Sequence, residues 1–395
     1  MSAPRHFAIV APPTPGHLNP LLALGAALGA LGHRVTVVHL ADARRFVPDT
    51  PIAFAALRGA GDRAGVLDAY LATLAQATGP FGLPHMIRAT AAMSKTLLDA
   101  LPAALERIGA EVVIADAAEG AGAVAAARAG LPCIASVTGL PLLREPGVPP
   151  PYLGWRYRRG AWGLFRNWGG YLVSDRLLRP LTRAVGKVPE PLLHVAQCPR
   201  AFDFPRRRLP AAFHYGAPWR LPEAPAPDLP GDRPLVFCSL GTLQGARAHL
   251  FAGMARACEQ AGARAVVAHG GALSEAAAAS LPGGAVARAW WPQRGVLAKC
   301  SAAILHGGFN TVLDALAAGV PIVAAPIAFE QPATAARVAH HGVGRVVKRP
   351  SADRLAAALK DVLTDPAYRL AAERMRMPSD GATQAAALID AALSA

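Results

Sequence analysis

Between Trp290 and Gln331 the chain reads WWPQRGVLAKCSAAILHGGFNTVLDALAAGVPIVAAPIAFEQ. A flat aromatic, Trp290, is followed by Gln293, by His306-Gly307-Gly308 and Asn310-Thr311, by Asp314, and finally by the acid-amide pair Glu330-Gln331. The apolar run Ala302 to Leu305 reads as a short buried strand, and Asn310 to Ala318 has helical spacing, so the glycine pair is the turn between them. Small residues there let backbone N–H groups approach an anion, and the helix N-terminus adds partial positive charge. His306, Asn310 and Thr311 can add hydrogen bonds to phosphate oxygens. Asp314 lies one helical turn beyond Asn310 on the same face, where a carboxylate can accept two hydroxyls of a diol. Taken singly, the glycines suit an ordinary strand-to-helix turn and Asp314 an ordinary solvated helix acid. Together they suit an activated nucleotide sugar: a base to stack on, a ribose, a pyrophosphate and a hexose.

A second candidate centre lies near the N-terminus. His17 stands in Pro15-Gly16-His17-Leu18-Asn19-Pro20, expected in the loop after the first strand and facing a cleft. An imidazole that titrates near neutrality is suited to take the proton of a hydroxyl as that oxygen attacks. Asp116, at the carboxyl end of a later strand, can bond the other ring nitrogen and stabilise the imidazolium. A lone histidine in a proline-glycine loop is more often structural; the pairing with Asp116 and the distal block is what favours chemistry. Thr242, after Ser239-Leu240-Gly241, is a further candidate contact to phosphate or sugar. Direct in-line attack on such a donor inverts the anomeric carbon.

These residues need a scaffold that brings strand ends together. Strands are expected at His6 to Ala11, Arg34 to His39, Glu111 to Asp116 and Pro132 to Val137, alternating with helices at about Asn19 to Leu31, Asp68 to Ala77, Met86 to Ile108 and Ala117 to Ala129. Gly216 to Arg233 carries five prolines and reads as a linker. Alternation then restarts with Leu235 to Ser239, a helix over Arg247 to Ala261, Ala265 to His269, the distal block and further helices. The expectation is α/β: two Rossmann-like, doubly wound parallel-sheet domains facing a central cleft, with ligands at the strands' carboxyl ends. The divisions are 1–215, a linker 216–233, 234–378, and a C-terminal helix 379–395 that crosses back to the first domain. Gly25, Gly29 and Gly32 have the wrong spacing for a dinucleotide fingerprint and fall within a helix. No P-loop and no D-x-D pair occurs, so nothing in the sequence calls for a metal.

At 395 residues, 53% hydrophobic and 17% charged, the chain can bury two ordinary cores. Its five dispersed cysteines lack a C-x-x-C spacing, which argues for a reducing compartment and against structural zinc. The N-terminus lacks a secretory pattern, and no apolar stretch approaches the roughly 20 residues that span a bilayer. The expected location is cytoplasmic. A net charge of +14 invites anionic partners, but no nucleic-acid-binding motif is present, so nucleic acid is not expected. Tyr152 to Arg183 is unusual: seven arginines, three of the six tryptophans and further aromatics surround a single acid, Asp175. That mixture suits peripheral contact with the inner face of a membrane. Helices with core aromatics and solvated arginines are the equally simple alternative.

The distal block resembles the signature of family-1 UDP-dependent glycosyltransferases, in the order W-x-P-Q, H-G-G-x-N-T and (D/E)-Q. The resemblance implies the two-domain GT-B fold and a role for each residue. Trp290 would stack on uracil, Gln293 lie near base and ribose, and His306, Gly308, Asn310 and Thr311 meet the diphosphate. Asp314 would hold the ribose, and Glu330 and Gln331 the sugar hydroxyls. It also implies His17 as base with Asp116 as its partner. Many relatives carry Glu where this chain has Asp314 and Asp where it has Glu330, a one-methylene change at each end of the donor. Arg144-Glu145-Pro146-Gly147, Asp203-Phe204-Pro205-Arg206-Arg207, Phe213-His214-Tyr215 and Ser239-Leu240-Gly241-Thr242-Leu243-Gln244-Gly245 are similar to segments of bacterial zeaxanthin glucosyltransferases. The implied partners are therefore a UDP-sugar donor, UDP-glucose as co-substrate without cofactor or metal, and a hydrophobic hydroxylated acceptor such as a carotenoid. Three other readings stay open: another apolar alcohol as acceptor (sterol, hopanoid, macrolide or flavonoid), a UDP-sugar epimerase or hydrolase, and a non-catalytic sugar-nucleotide-binding protein.

Overall fold

The computed structural model describes residues 3–48, 51–59, 65–76, 79–242 and 247–394. Leu243-Gln244-Gly245 of the resembling segment, and Ala77 at the end of an expected helix, lie outside them. Seven strands form the first sheet: β1 (His6–Val10), β2 (Arg34–His39), β3 (Ala53–Ala56), β4 (Val112–Asp116), β5 (Cys133–Val137), β6 (Leu193–Ala196) and β7 (Phe213–Tyr215). Six form the second: β8 (Leu235–Ser239), β9 (Arg264–Ala268), β10 (Val286–Arg288), β11 (Ala302–Leu305), β12 (Ile322–Ala324) and β13 (Gly344–Val346). All pairings are parallel, in the orders β3-β2-β1-β4-β5-β6-β7 and β10-β9-β8-β11-β12-β13. Both orders reverse beside the first strand of the sheet, between β1 and β4 and between β8 and β11. Ligands of doubly wound sheets bind outside the carboxyl ends of the strands at such points.

Continuous apolar runs made β1, β4, β8 and β11 legible: every residue of all four is buried, as expected for strands covered on both faces. The short strands β3, β6, β7, β10, β12 and β13 were not expected. They are three or four residues long, and β6 and β7 carry histidines that blur the apolar pattern. The stretch 152–183 holds one long helix, Ala161–Val185, packed on helix Gly79–Ile108. No helix among the described residues is long and apolar enough to cross a membrane.

The C-terminal helix Gly381–Ser394 packs on helix Pro15–Ala30 of the first sheet's layer. Ala382, Ala385, Ala386 and Ile389 join Phe7, Leu21, Leu24 and the linker's fully buried Trp219 in one cluster. Arg5 Nη2 donates to the Leu393 carbonyl at 3.0 Å, and Asp390 lies 3.3 Å from His33 Nε2. At the opposite contact, Asp203 in the chain after β6 is held by Arg206 Nε at 2.7 Å and by Arg337 Nη2 of helix Gln331–His340 at 2.6 Å. All three side chains are buried, so the pair ties the halves together through an ion pair sheltered from water.

Candidate functional site

His17 lies in the first turn of helix Pro15–Ala30, not in the loop expected ahead of a helix near Asn19. Proline at the first helical position loses nothing, because its missing N–H would have had no intrahelical partner. His17 Nδ1 is 3.1 Å from Asp116 Oδ2 at the end of β4 and 2.9 Å from Thr138 Oγ1 just beyond β5. Thr138 also donates to Asp116 Oδ2 at 2.5 Å, and the Ala118 amide donates to Oδ1 at 2.8 Å. With Nδ1 occupied, no described hydrogen bond engages Nε2, and the side chain, 30% exposed, lines the central cavity. Burial by itself would lower the imidazole pKa. The Asp116 carboxylate outweighs it and, with Glu330 and Glu119 further off, holds the group above its ordinary value. Glu119 is itself buried; it accepts from Ser94 Oγ at 2.8 Å, and burial pushes its pKa up to about 7.

Across the cleft, β11 runs into His306-Gly307-Gly308 and then helix Phe309–Ala317. Gly307 has φ +84°, and a Cβ on Gly308 would stand 2.3 Å from His306 Nε2, so neither position accepts a side chain. Gly241 approaches the same ring, where a Cβ would lie 2.8 Å from it. His306 Nδ1 donates to the Ser239 carbonyl at 3.3 Å, and burial pushes the imidazole pKa down to about 4. Burial therefore favours the neutral ring, which can still hydrogen-bond but carries no standing charge. Thr311 is buried within the first helical turn and lines the cavity. Asn310 is committed differently: its Nδ2 donates to the Gly16 carbonyl at 2.6 Å, and its Oδ1 accepts from Gln197 Nε2 at 2.8 Å. Pro20 explains the first bond, since it has no N–H to offer the carbonyl four residues earlier, leaving Gly16 free to accept.

Asp314 is buried, and both its oxygens are engaged: Oδ1 accepts from Arg220 Nε at 2.6 Å and Oδ2 from Gln293 Nε2 at 2.6 Å. Each oxygen keeps acceptor capacity for a further hydroxyl. Trp290 is 65% exposed with its ring on the cavity, whereas the neighbouring Trp291 is buried and donates to the Val267 carbonyl. Thr242 is an exposed part of the wall. Glu330 is half-buried with its pKa raised by burial, and it follows Phe329, which has φ +56°. Gln331 turns its Oε1 to the amides of Ile327 and Ala328, at 2.9 Å each, and so keeps its NH2 end as donor.

All twelve expected residues thus line one cavity of about 790 Å3. Its other wall is apolar, with Tyr70, Leu74, Met86 and Ile87 from helices Val66–Gln76 and Gly79–Ile108, and Leu178 and Leu181 from helix Ala161–Val185. Three participants escaped the sequence reading. Thr138 bridges the His17–Asp116 pair, Gln197 reaches Asn310, and Arg220 joins Asp314, the Asn310 carbonyl and Gln197 Oε1. Arg220 sits in the proline-rich linker, where composition signals only a spacer. Among the described residues no three His, Cys, Asp or Glu gather as metal ligands.

Residues 261–386 match the model of the erythromycin biosynthesis protein CIII-like C-terminal domain. The chain is 36% identical to a zeaxanthin glucosyltransferase of Pseudescherichia vulneris, the alignment covering 98% of each. It is 32% identical to a zeaxanthin glucosyltransferase of Pantoea ananas, over 97% of this chain and 94% of that one. The solved structure of the kitacinnamycin glycotransferase superimposes with a TM-score of 0.73 at 22% identity, covering 99% of this chain and 100% of that one.

Proposed function

Since the chain belongs to the family-1 glycosyltransferases of GT-B fold that include the bacterial zeaxanthin glucosyltransferases, we propose that it moves glucose from UDP-glucose to a hydroxyl of a hydrophobic acceptor, zeaxanthin first, with inversion. The observation that carries this reading is His17: Nδ1 is held by Asp116 and Thr138, and Nε2 is left to an apolar cavity whose far wall is a helix N-terminus. The acceptor O–H gives its proton to Nε2 while its oxygen attacks the anomeric carbon from the face opposite the diphosphate. The bond from that carbon to the β-phosphate oxygen breaks, and UDP leaves with the electron pair. An α-linked donor then yields a β-glycoside. Asp116 stabilises the imidazolium that forms.

In this reading Trp290 stacks on uracil and Gln293 and Asp314 hold the ribose. The backbone amides at Gly308, the hydroxyl of Thr311 and the dipole of helix Phe309–Ala317 meet the charge growing on UDP, without a metal. Glu330 and the Gln331 NH2 hold hexose hydroxyls, with Thr242 at the edge. Chelating divalent ions is accordingly expected to leave the rate unchanged. The polyaromatic, arginine-rich stretch 152–183 gives the cytoplasmic enzyme peripheral contact with the membrane that dissolves its acceptor. The decisive assay pairs wild type with His17→Ala, offering UDP-glucose and zeaxanthin in detergent and following glucosides by mass spectrometry. Product from wild type alone, with UDP binding intact in both, supports the reading. UDP binding without product in wild type removes the carotenoid, and an α-glycoside removes the mechanism.

A further inference from the structure

Helix Ala161–Val185 meets two different surroundings. Its inner side packs on helix Gly79–Ile108 and contributes Leu178, Leu181 and Val185 to the apolar end of the cavity. Its outer side carries Trp162, Phe165, Trp168 and Leu172, exposed by 61%, 61%, 56% and 48%. Successive steps of three, three and four residues keep these on one stripe, and further steps of four, three and four bring Arg176, Arg179 and Arg183, all exposed. The aromatics form a continuous ridge, with ring centroids 5.9 Å apart for Trp162 and Phe165 and 6.1 Å for Phe165 and Trp168. Each costs about 1.5–3 kcal/mol when left in water rather than buried, and contiguous exposed apolar surface marks a docking site. Asp175, the segment's acid, is taken by Arg144 at 2.5 Å. No ion pair among the described residues engages Arg156, Arg158, Arg159, Arg176, Arg179 or Arg183.

We propose that this stripe lays helix Ala161–Val185 flat on an anionic lipid bilayer, and that the acceptor enters the cavity from that bilayer along the helix's inner side. The inference rests on the reading of the acceptor as a hydrophobic alcohol. Tryptophan and phenylalanine settle at the boundary between headgroups and acyl chains, while arginine side chains reach lipid phosphates. A second copy of the chain is a poorer occupant, because the one acid beside the stripe, Asp175, is already paired with Arg144 and leaves no carboxylate to answer the arginines that such a contact would bury. The cavity volume agrees. About 790 Å3 is the range of a pocket for one ligand, yet it must take a nucleotide sugar and an acceptor together. Only the hydroxyl-bearing end of a long apolar acceptor fits, and the remainder stays in an apolar medium.

The test is cosedimentation of the full chain with phosphatidylcholine vesicles and with vesicles containing phosphatidylglycerol. Wild type is compared with two triple variants, Trp162→Ser/Phe165→Ser/Trp168→Ser and Arg176→Gln/Arg179→Gln/Arg183→Gln, all at exposed positions. Wild type should bind anionic vesicles, each variant should lose about tenfold or more in affinity, and salt should weaken wild type. Glucosylation of zeaxanthin carried in vesicles should fall with binding, whereas glucosylation in detergent and UDP binding should not change. Absence of vesicle binding by wild type, or retention of it by the aromatic variant, overturns the proposal. Equal binding to neutral vesicles overturns the role given to the arginines, and a dimer that the aromatic variant dissolves without any lipid binding assigns the stripe to a second copy. If detergent assays give no glucoside at all, the acceptor reading fails separately, and the vesicle result still decides the docking.

Discussion

His17, in the first turn of the helix after β1, and His306, directly after β11, are pushed in opposite directions by their surroundings. Asp116 keeps the His17 pKa above the ordinary imidazole value despite burial, so the base form that the proposed mechanism needs is lost at a higher pH than for a free histidine. The acid limb of kcat/KM should therefore lie above about 6.5. Asp116→Asn should lower kcat by about 10²-fold or more and move that limb to lower pH, read from pH–rate profiles of both proteins. His306 has no carboxylate partner, and burial leaves it neutral, with Nδ1 donating to the Ser239 carbonyl and Nε2 left without a proton. With the diphosphate beside that ring, as proposed, the protonated form gains, so UDP-glucose should bind with proton uptake and bind more tightly as pH falls toward about 4. Calorimetry in two buffers of different ionisation enthalpy measures the uptake. Equal heats in both would remove His306 from the diphosphate.

Among the elements, the C-terminal helix Gly381–Ser394 carries the clearest energetic consequence. Ile389 is fully buried against the first sheet's layer although it follows the second sheet in sequence. Ile389→Ala should cost about 2–5 kcal/mol, lowering the unfolding midpoint of the N-terminal half while leaving UDP affinity in the folded protein near that of wild type. Differential scanning calorimetry with and without UDP separates the two effects. The linker acts as more than a spacer, since Arg220 joins Asp314 to Gln197. Arg220→Ala should raise the KM for UDP-glucose several-fold with a smaller change in kcat, because the carboxylate it orients is proposed to hold the ribose and takes no part in the displacement.

For the whole molecule, the Asp203–Arg337 pair is a buried link between the two halves. Burial by itself would raise the Asp203 pKa, but Arg337 and Arg206 outweigh it and hold the carboxyl below its ordinary value. The stability it contributes is present above the unfolded carboxylate pKa of about 3.9 and is lost as pH falls through the lower folded value. Asp203→Asn should thus be less stable than wild type by about 3–5 kcal/mol at pH 7. The gap should narrow as pH drops toward 3, as thermal melts at a series of pH values would show.

The first and central strands of each sheet, and the residues that gather on one cavity, were legible in the sequence because apolar runs, glycine turns and fixed spacings are local signals. A run such as Ala302 to Leu305 is apolar enough to name its own burial, and His306-Gly307-Gly308 names the turn that follows. What the chain order could not convey is every contact made across the cleft. Asn310 reads locally as a phosphate donor, and only the approach of Gly16 and Gln197 shows where its amide goes in this structure. Arg220 reads as linker and becomes the partner of Asp314 because the chain returns past helix Phe309–Ala317. The outward stripe on helix Ala161–Val185 needed the fold as well: spacing defines a helical face, but only packing against helix Gly79–Ile108 decides which face is left to the outside.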